Sequence, residues 1–330
     1  MRVLRALAIA IGLAVVGWLV WRIGPGALAA ELRRLGWRLP LILLPPAGTN
    51  LLQTLGWRFA FPRRRPRLRA LIPIRLAGEA INDTTPTGTL GGDAVKALLV
   101  ARMPTGVPIA EAFVSVVLAK SMLVAALGAF LAAGLALAWL AVGASAALLS
   151  ILALLAAFAA GSGVAFVAAQ LRGLFRMGGR ALTWLGLGAR AASVTHGLDA
   201  ELRTSYRSRR GPLAISLALH LAGWAVGTFE TWLALAFLGA PVPLATALVL
   251  EAGATGVRSA GFLVPGSLGI QEGGIVGIAT LLGIPPDTGL ALGLVRRIRE
   301  GTFIALGYAC LAALPAAARR RTSPAVLPER

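Results

Sequence analysis

Two short motifs place a carboxylate next to glycines and a proline inside apolar sequence. The first runs from Pro86 to Asp93 and the second from Pro265 to Glu272, and each acidic residue follows its proline by seven positions. Glycine and proline interrupt helices, and the backbone groups that they free find no water inside a bilayer. Paired breaks of this kind are typical of transporters, in which broken helices surround a shared site. The spacing therefore predicts two broken or re-entrant helical segments around one polar site.

Ionisable residues within apolar segments are candidates for binding a substrate, because a charge inside a membrane is costly. Glu79 and Asp83 lie one helical turn apart, and Asp93 with Lys96 has a similar spacing. Arg296 and Glu300 are also spaced to pair, and mutual neutralisation is an equal alternative to a substrate role for such pairs. The predicted substrate-binding residues are Glu79, Asn82, Asp83, Gly88, Gly91, Gly92, Asp93, Lys96, Arg258, Pro265, Gly269, Gln271, Glu272, Arg296 and Arg297.

The glycines of both motifs precede helix-like stretches. A glycine-rich turn that leads into a helix exposes backbone N–H groups, which favour an anion such as a phosphate headgroup. The carboxylates Asp93 and Glu272 have four possible roles at these positions. They bind the backbone at the helix start, neutralise arginines, carry a proton or contact a cationic headgroup, and the residues leave these roles open.

Motifs for metal or cofactor chemistry are incomplete or missing. Asn82-Asp83 resembles the start of the NDxxD diphosphate–magnesium motif of intramembrane prenyltransferases, but its last position is Pro86. The sequence contains no Walker A motif, no zinc-ligand spacing and no GxSxG elbow. We therefore expect no metal, no cofactor and no enzymatic activity. His220 is expected to be a hydrogen-bonded interior residue, and Glu111 and Lys120 to extend to the surface.

Composition places the chain in the membrane. Hydrophobic residues make up 57% of the 330 residues and charged residues 14%, with a mean hydropathy of +0.79. We expect an all-α polytopic membrane protein, with about six crossing helices plus two re-entrant segments in an inverted arrangement, forming a single integral domain over residues 1–330. The predicted spans are 3–21, 39–61 (broken at Pro45-Pro46), 108–140, 143–169 (joined near Gly143), 212–238 and 287–316, with an interfacial helix at 24–38 and re-entrant segments at about 70–103 and 243–283.

The formal net charge of +19 comes from arginines in short connecting segments, chiefly the loops 63–69 and 171–211 and the C-terminal tail. Positive loops stay cytoplasmic, so the charge indicates topology rather than nucleic-acid binding. This rule places both termini in the cytoplasm and makes the two broken segments enter from opposite sides of the membrane.

The pattern NxxxPxGxxGGDxxKA from Asn82 to Ala97, followed by PGSLGIQEGG at 265–274 and an arginine-bearing last span, resembles the lysylphosphatidylglycerol synthase transmembrane-region family. This flippase-like family includes hopanoid-biosynthesis-associated membrane proteins. The resemblance implies a helical bundle with re-entrant elements and translocation of lipid between leaflets, carried by Asn82, Asp93, Glu272 and Arg296 or Arg297. The chain ends without the synthase's aminoacyl-transferase domain, so we do not expect it to make lysyl-lipid.

Three functional hypotheses remain from the sequence. The first is flippase-like transport of a phospholipid, a hopanoid or a polyprenyl-linked lipid. The second is an intramembrane enzyme that uses Glu79, Asp83 and Asp93 as acid–base groups. The third is an accessory subunit of a lipid-synthesis complex, and a homo-oligomer is a further possible assembly.

Overall fold

The computed structural model describes residues 35–85, 90–104, 106–173, 189–261 and 269–320, together with positions 21, 26, 33, 175 and 267. No strand occurs among them, which agrees with the predicted all-α class. The helices of this part of the chain are α1 (Leu39–Ala60), α2 (Leu68–Thr84), α3 (Leu90–Arg102), α4 (Ile109–Leu137), α5 (Ala146–Leu171), α6 (Ala189–Ser208), α7 (Arg210–Phe237), α8 (Leu244–Ala260), α9 (Ile270–Leu281) and α10 (Pro286–Arg320).

Among the described residues, three helices are long and apolar enough to cross a membrane. They are α4 with the π turn Ala138–Val142 that continues it, α5 and α7. Gly143, with φ +62°, ends the first of these and joins it to the second, as predicted. Helices α1 and α10 occupy two further predicted spans, while the span 3–21 and most of the segment 24–38 lie outside the described residues. The count of six crossings therefore stays a prediction.

Helix α1 corrects the expected break at Pro45-Pro46, because it continues through both prolines. A proline fits the helical φ angle, but inside a helix it removes the hydrogen bond of its own nitrogen and its ring crowds the carbonyl four residues earlier. Packing against α7 offsets that loss: Thr49 donates to the Gly223 carbonyl at 3.0 Å, and Ser216 donates to the Gly56 carbonyl at 2.8 Å.

The segment 171–211 is not simply a loop, because it contains the 20-residue helix α6. Leu198, Leu202 and Ser205 lie buried at amphipathic spacing, whereas Arg203 and Arg207 remain exposed on the same helix. The Tyr206 hydroxyl also lies within hydrogen-bond distance of the Ser121 hydroxyl of α4, at 2.8 Å, and of the Gln170 side-chain oxygen of α5, at 2.9 Å. Burial raises the pKa of the Tyr206 hydroxyl, which keeps this donor protonated. The many arginines lower the mean hydropathy of this segment, so the sequence pattern did not predict the buried face of α6.

Both predicted broken segments are pairs of packed helices. We call α2 with α3 the first hairpin and α8 with α9 the second hairpin. Each hairpin packs its second helix on the long helix that follows it, so α3 contacts α4 and α9 contacts α10. Each also packs its first helix on the long helix that follows the other hairpin, so α2 contacts α10 and α8 contacts α4. This reciprocal packing is what two interlocked copies of one helical repeat produce.

The two hairpins enter the bundle from opposite ends. The start of α7 lies at the end of α1, where the Arg209 guanidinium donates to the Phe61 carbonyl. The end of α7 lies at the start of α1, where the Arg38 guanidinium is 5.3 Å from the centre of the Phe237 ring. Because α2 follows the end of α1 and α8 follows the end of α7, their first residues lie at opposite ends.

Helix α10 shows how apolar and charged layers alternate along the bundle. Its residues as far as Val295 belong to one buried apolar cluster, and its residues from Ile304 onward belong to another. The run from Arg296 to Glu300 lies between them. The described part of the bundle therefore has an apolar core toward each end and charged side chains in between.

Candidate functional site

Lys96 is the centre of an ion cluster in the first hairpin. Its ammonium lies 2.7 Å from the Glu79 carboxylate and 2.8 Å from that of Asp93, so the pairing of Asp93 with Lys96 is present. Arg75 approaches Glu79 to 3.5 Å and also donates to Asn50 at 2.6 Å. Glu79 comes from α2 and Asp93 from α3, and the lysine therefore holds the two arms of the hairpin together.

Asn82 closes the glycine-rich start of α3. Its side-chain oxygen accepts the Gly92 N–H at 2.8 Å, so a protein group already occupies one donor that was expected to face an anion. The backbones approach closely here, because a Cβ added to Gly92 would overlap the Gly78 carbonyl and lie 2.5 Å from the Asn82 oxygen. Gly91 also lies on α3, and Gly88 lies outside the described residues.

Glu272 has the equivalent position in the second hairpin. Its carboxylate accepts the Gly269 N–H at 2.9 Å and pairs with Arg297 of α10. Arg297 also lies 2.7 Å from Glu300. Of the four roles open to this carboxylate, Glu272 thus fulfils two, because it binds the helix start and neutralises an arginine. Pro265 lies outside the described residues.

The turn of the second hairpin holds a strained residue. Ser267 has φ +47°, in the left-handed region that a non-glycine residue rarely adopts. Its carbonyl accepts from Arg297 at 3.4 Å, and its hydroxyl lies 3.4 Å from the Arg258 carbonyl. Strain of this kind persists only where the surroundings fix it, and it concentrates at binding sites.

Arg296 does not pair with Glu300, which corrects the pairing inferred from their spacing. Arg296 instead pairs with Glu251 of α8 and donates to Thr231 of α7 at 2.8 Å. Glu300 lies 3.5 Å from Arg299 in addition to its contact with Arg297. Arg296 is oriented toward α7 and α8, where a buried carboxylate distant in sequence competes for it.

The charged residues of these clusters that were not among the predicted site residues are Arg75, Lys120, Glu230, Glu251, Arg299 and Glu300. Lys120 was expected at the surface, but its ammonium lies 3.5 Å from Asp93. Glu230 is 1% exposed at its side chain and pairs with Arg299 at 2.7 Å. Arg75 had a detectable signal, since it lies inside an apolar segment one turn before Glu79. Glu111 also differs from expectation, because it is buried and accepts the backbone N–H groups of two loop residues.

One cavity of about 760 Å³ connects the two hairpins. Charged and polar groups of α2, α3, α8 and α10, together with Lys120 of α4, form one side of it, including six predicted residues. Apolar side chains of α4, α5 and α7 form the other side, among them Phe113, Leu127, Phe158, Phe166 and Trp224. The predicted residues that line the cavity are Glu79, Asn82, Asp83, Asp93, Arg258 and Arg296. Lys96, Glu272 and Arg297 contact these residues or their neighbours from behind, and Gln271 is buried.

A small side chamber of about 30 Å³ lies behind the Lys96 cluster and is also lined by His220. His220 is buried, as predicted, but neither ring nitrogen has a hydrogen-bond partner among the described residues. No group of three or more His, Cys, Asp or Glu side chains in the described part of the chain is arranged to bind a metal.

The sequence was also compared with known proteins. No curated protein and no solved structure matches it significantly. The model of one protein family, described as the lysylphosphatidylglycerol synthase TM region, matches residues 5–307. That match covers both hairpins, the helices that line the cavity and most of α10, so this chain is a membrane protein that belongs to the lysylphosphatidylglycerol synthase transmembrane-region family.

Proposed function

We propose that this protein moves a lipid with a polar headgroup between the two leaflets of a bacterial inner membrane. The observation that carries the proposal is the cavity, which joins a charged side to an apolar side within one space. A lipid has the same division, since its headgroup needs polar partners and its acyl chains need apolar surface. Family membership supports a role in lipid biology.

The charged side suits a headgroup because several of its groups face the cavity. The side chains of Glu79, Asp83 and Arg258 are each about one third exposed, and that of Lys120 is one quarter exposed. Acidic and basic groups alternate there, so a headgroup finds both a partner for phosphate and a partner for an ammonium or hydroxyl group. The volume of about 760 Å³ lies within the range of small-molecule sites and accommodates a headgroup with the first part of its chains.

The hairpins supply a route for alternating access. They enter from opposite ends and meet at the cavity, so separation of either hairpin from its long-helix neighbours opens the cavity toward one side. In this scheme the arginine-rich segments 63–69 and 171–211 and both termini face the cytoplasm.

The proposal involves transport without chemical change to the lipid. An acid–base catalyst needs a carboxylate that is free to exchange a proton with a substrate. Glu79 and Asp93 are instead held by Lys96 at 2.7 and 2.8 Å, which supports a structural and binding role.

The proposal is tested by leaflet transfer in vesicles that contain the purified full-length protein. Asp93→Asn and Glu272→Gln should each slow the transfer of fluorescent phosphatidylglycerol at least about tenfold, because each removes one of the two carboxylates that neutralise a buried cation. The exposed Asp287 provides the control, and Asp287→Asn should transfer at the wild-type rate. Transfer is measured by dithionite bleaching of the outer leaflet, and unfolding temperatures show whether each variant folds. Wild-type rates in both folded site variants would contradict the assignment of the site.

A further inference from the structure

The tips of the two hairpins are joined across the cavity by one ion pair. Asp83 lies in the last turn of α2 and Arg258 in the last turn of α8, and their charged groups are 3.0 Å apart. Among the described residues, this is the ion pair that runs directly from the first hairpin to the second. It therefore connects the two elements that must separate if the proposed transport occurs.

The pair is accessible in a way that the neighbouring pairs are not. Both side chains are 35% exposed and both line the cavity, whereas the side chains of Arg296 and Glu251 are 3% and 6% exposed. A half-exposed pair contributes little net stability, so a competing anion can replace one partner. The pair of Arg296 with Glu251 is shielded from the same competition.

If an anion displaces the Asp83 carboxylate from the ion pair, Arg258 stays in position. The Arg258 guanidinium also approaches Glu300 at 3.7 Å, and Glu300 is itself fixed by Arg297 at 2.7 Å. Arg258 therefore keeps one fixed neighbour when it exchanges Asp83 for another oxyanion. A phosphodiester matches this exchange, because guanidinium binds phosphate oxygens as readily as carboxylate oxygens.

The displaced Asp83 carboxylate would lose its nearest cation and remain close to like charges. Glu79 and Glu300 are the carboxylates that interact with it electrostatically. Glu79 lies on α2 and moves with Asp83, so the repulsion from Glu300 of α10 is what favours movement of the α2 tip away from Arg258.

We propose that Asp83 and Arg258 form a latch that the phosphate of a lipid headgroup opens, with Arg258 as the phosphate-binding partner and Asp83 as the group that the phosphate displaces. This inference rests on the proposed function and specifies what starts the movement of the hairpins. The same exchange of Asp83 for phosphate on Arg258 binds the lipid and releases the two hairpins from each other. Without lipid, the ion pair keeps the hairpins together.

Two neutral variants separate the latch from a purely structural pair. Asp83→Asn removes the competitor of the phosphate, so binding of dihexanoyl phosphatidylglycerol to the detergent-solubilised full-length protein should tighten about fivefold, the effect of about 1 kcal/mol. Arg258→Gln removes the phosphate partner, so the same binding should weaken at least about fivefold. Both variants should fold, because each site is half exposed and Glu300 keeps two other arginines.

The controls are Asp287→Asn and Arg207→Gln, both exposed and remote from the cavity, and both should bind like the wild type. If lipid affinity changed in the same direction in both latch variants, the proposal would be overturned, since a purely structural pair predicts the same direction for both. Inorganic phosphate should not bind when it is added at the concentration at which the lipid saturates the protein. If the affinity for inorganic phosphate alone rose in Asp83→Asn and fell in Arg258→Gln, the site would belong to a soluble anion and the lipid assignment would be overturned.

Opening is measured separately by crosslinking across the cavity. Thr85 and Ser259 both line the cavity next to the latch. In a Cys310→Ser background, the bismaleimide crosslink between Thr85→Cys and Ser259→Cys should form in the empty protein and decrease several-fold when the short-chain lipid is added. An unchanged yield at saturating lipid would overturn the latch. If the wild-type protein binds and opens in this way but transfers no lipid in vesicles, the proposed function fails while the latch stands.

Discussion

Glu111 illustrates that a buried carboxylate can organise the backbone rather than bind a substrate. It is 5% exposed and accepts the N–H groups of Arg63 and Arg64, both at 2.8 Å. These two residues belong to the arginine-rich connection between α1 and α2, where mutual repulsion opposes an ordered turn. One carboxylate thus supplies both a counter-charge and two hydrogen bonds to this connection.

Removal of that carboxylate should destabilise the protein. Glu111→Ala leaves two backbone N–H groups without their acceptor, and we expect a loss of about 2–4 kcal/mol and a lower unfolding temperature. Glu201→Ala is the matched control, because Glu201 pairs with the exposed side chain of Arg63 and should cost less than about 1 kcal/mol. Thermal unfolding of the two variants in detergent measures the difference, and equal losses would contradict the role assigned to Glu111.

At the residue scale, sequence spacing predicted neighbours on one helix better than partners between helices. Glu79 could be grouped with Asp83, and Asp93 with Lys96, because the members of each pair lie about one turn apart on one helix. The partners of α10 could not be assigned in this way, since four charged residues occur within the run 296–300. Which arginine meets which acid depends on α7, α8 and α9, and their packing is set by contacts far apart in sequence.

At the element scale, the glycines of the first hairpin are positions where the two helices touch. A Cβ on Gly78 would lie 2.6 Å from the Lys96 side chain and 2.9 Å from the Gly92 carbonyl. The close approach brings Glu79 and Asp93 onto the same ammonium. Helix packing and the ion cluster of this hairpin therefore depend on each other.

Gly92→Ala should separate α2 from α3, because the added methyl group overlaps backbone atoms that cannot move independently. We expect a stability loss of about 1–3 kcal/mol and slower lipid transfer. Gly273→Ala is the matched control in the second hairpin, since a Cβ there meets no atom within 4 Å. Unfolding temperatures and transfer rates are compared for the two variants. A Gly92→Ala protein as stable and active as the Gly273→Ala protein would rule out the close contact.

The hairpins were predictable as elements because glycine, proline and charge coincide in each of them. The course of α1 and the presence of α6 were not predictable by the same signals. Pro45 and Pro46 indicated a break, but the contacts of α1 with α7 maintain the helix. The arginines of 171–211 indicated a loop, but the buried side chains of Leu198 and Leu202 fix a helix against the bundle.

At the scale of the whole molecule, the arginine-rich segments gather at one end. Arg63 pairs with Glu201 of α6 at 2.8 Å, and Arg64 donates to the Gly106 carbonyl at 2.9 Å. The connection between α9 and α10, which contains the exposed Asp287, lies at the other end because α8 starts there and α9 returns to it.

This arrangement predicts opposite membrane sides for two exposed positions. In a Cys310→Ser background, Arg207→Cys should react with a membrane-impermeant maleimide only from the cytoplasmic side, and Asp287→Cys only from the outer side. Intact cells and inverted membrane vesicles give the two accessibilities. Reaction of both positions from the same side would contradict the inverted entry of the hairpins.

The charges around the cavity cancel although the chain as a whole is strongly basic. Seven carboxylates and seven cationic groups form the connected pairs described above, whereas the sequence has a formal net charge of +19. A membrane voltage therefore exerts little net force on these groups when they move together. In the proposed transport, the electrical work of each cycle is then set by the cargo, so we expect voltage to drive an anionic lipid and not a zwitterionic one.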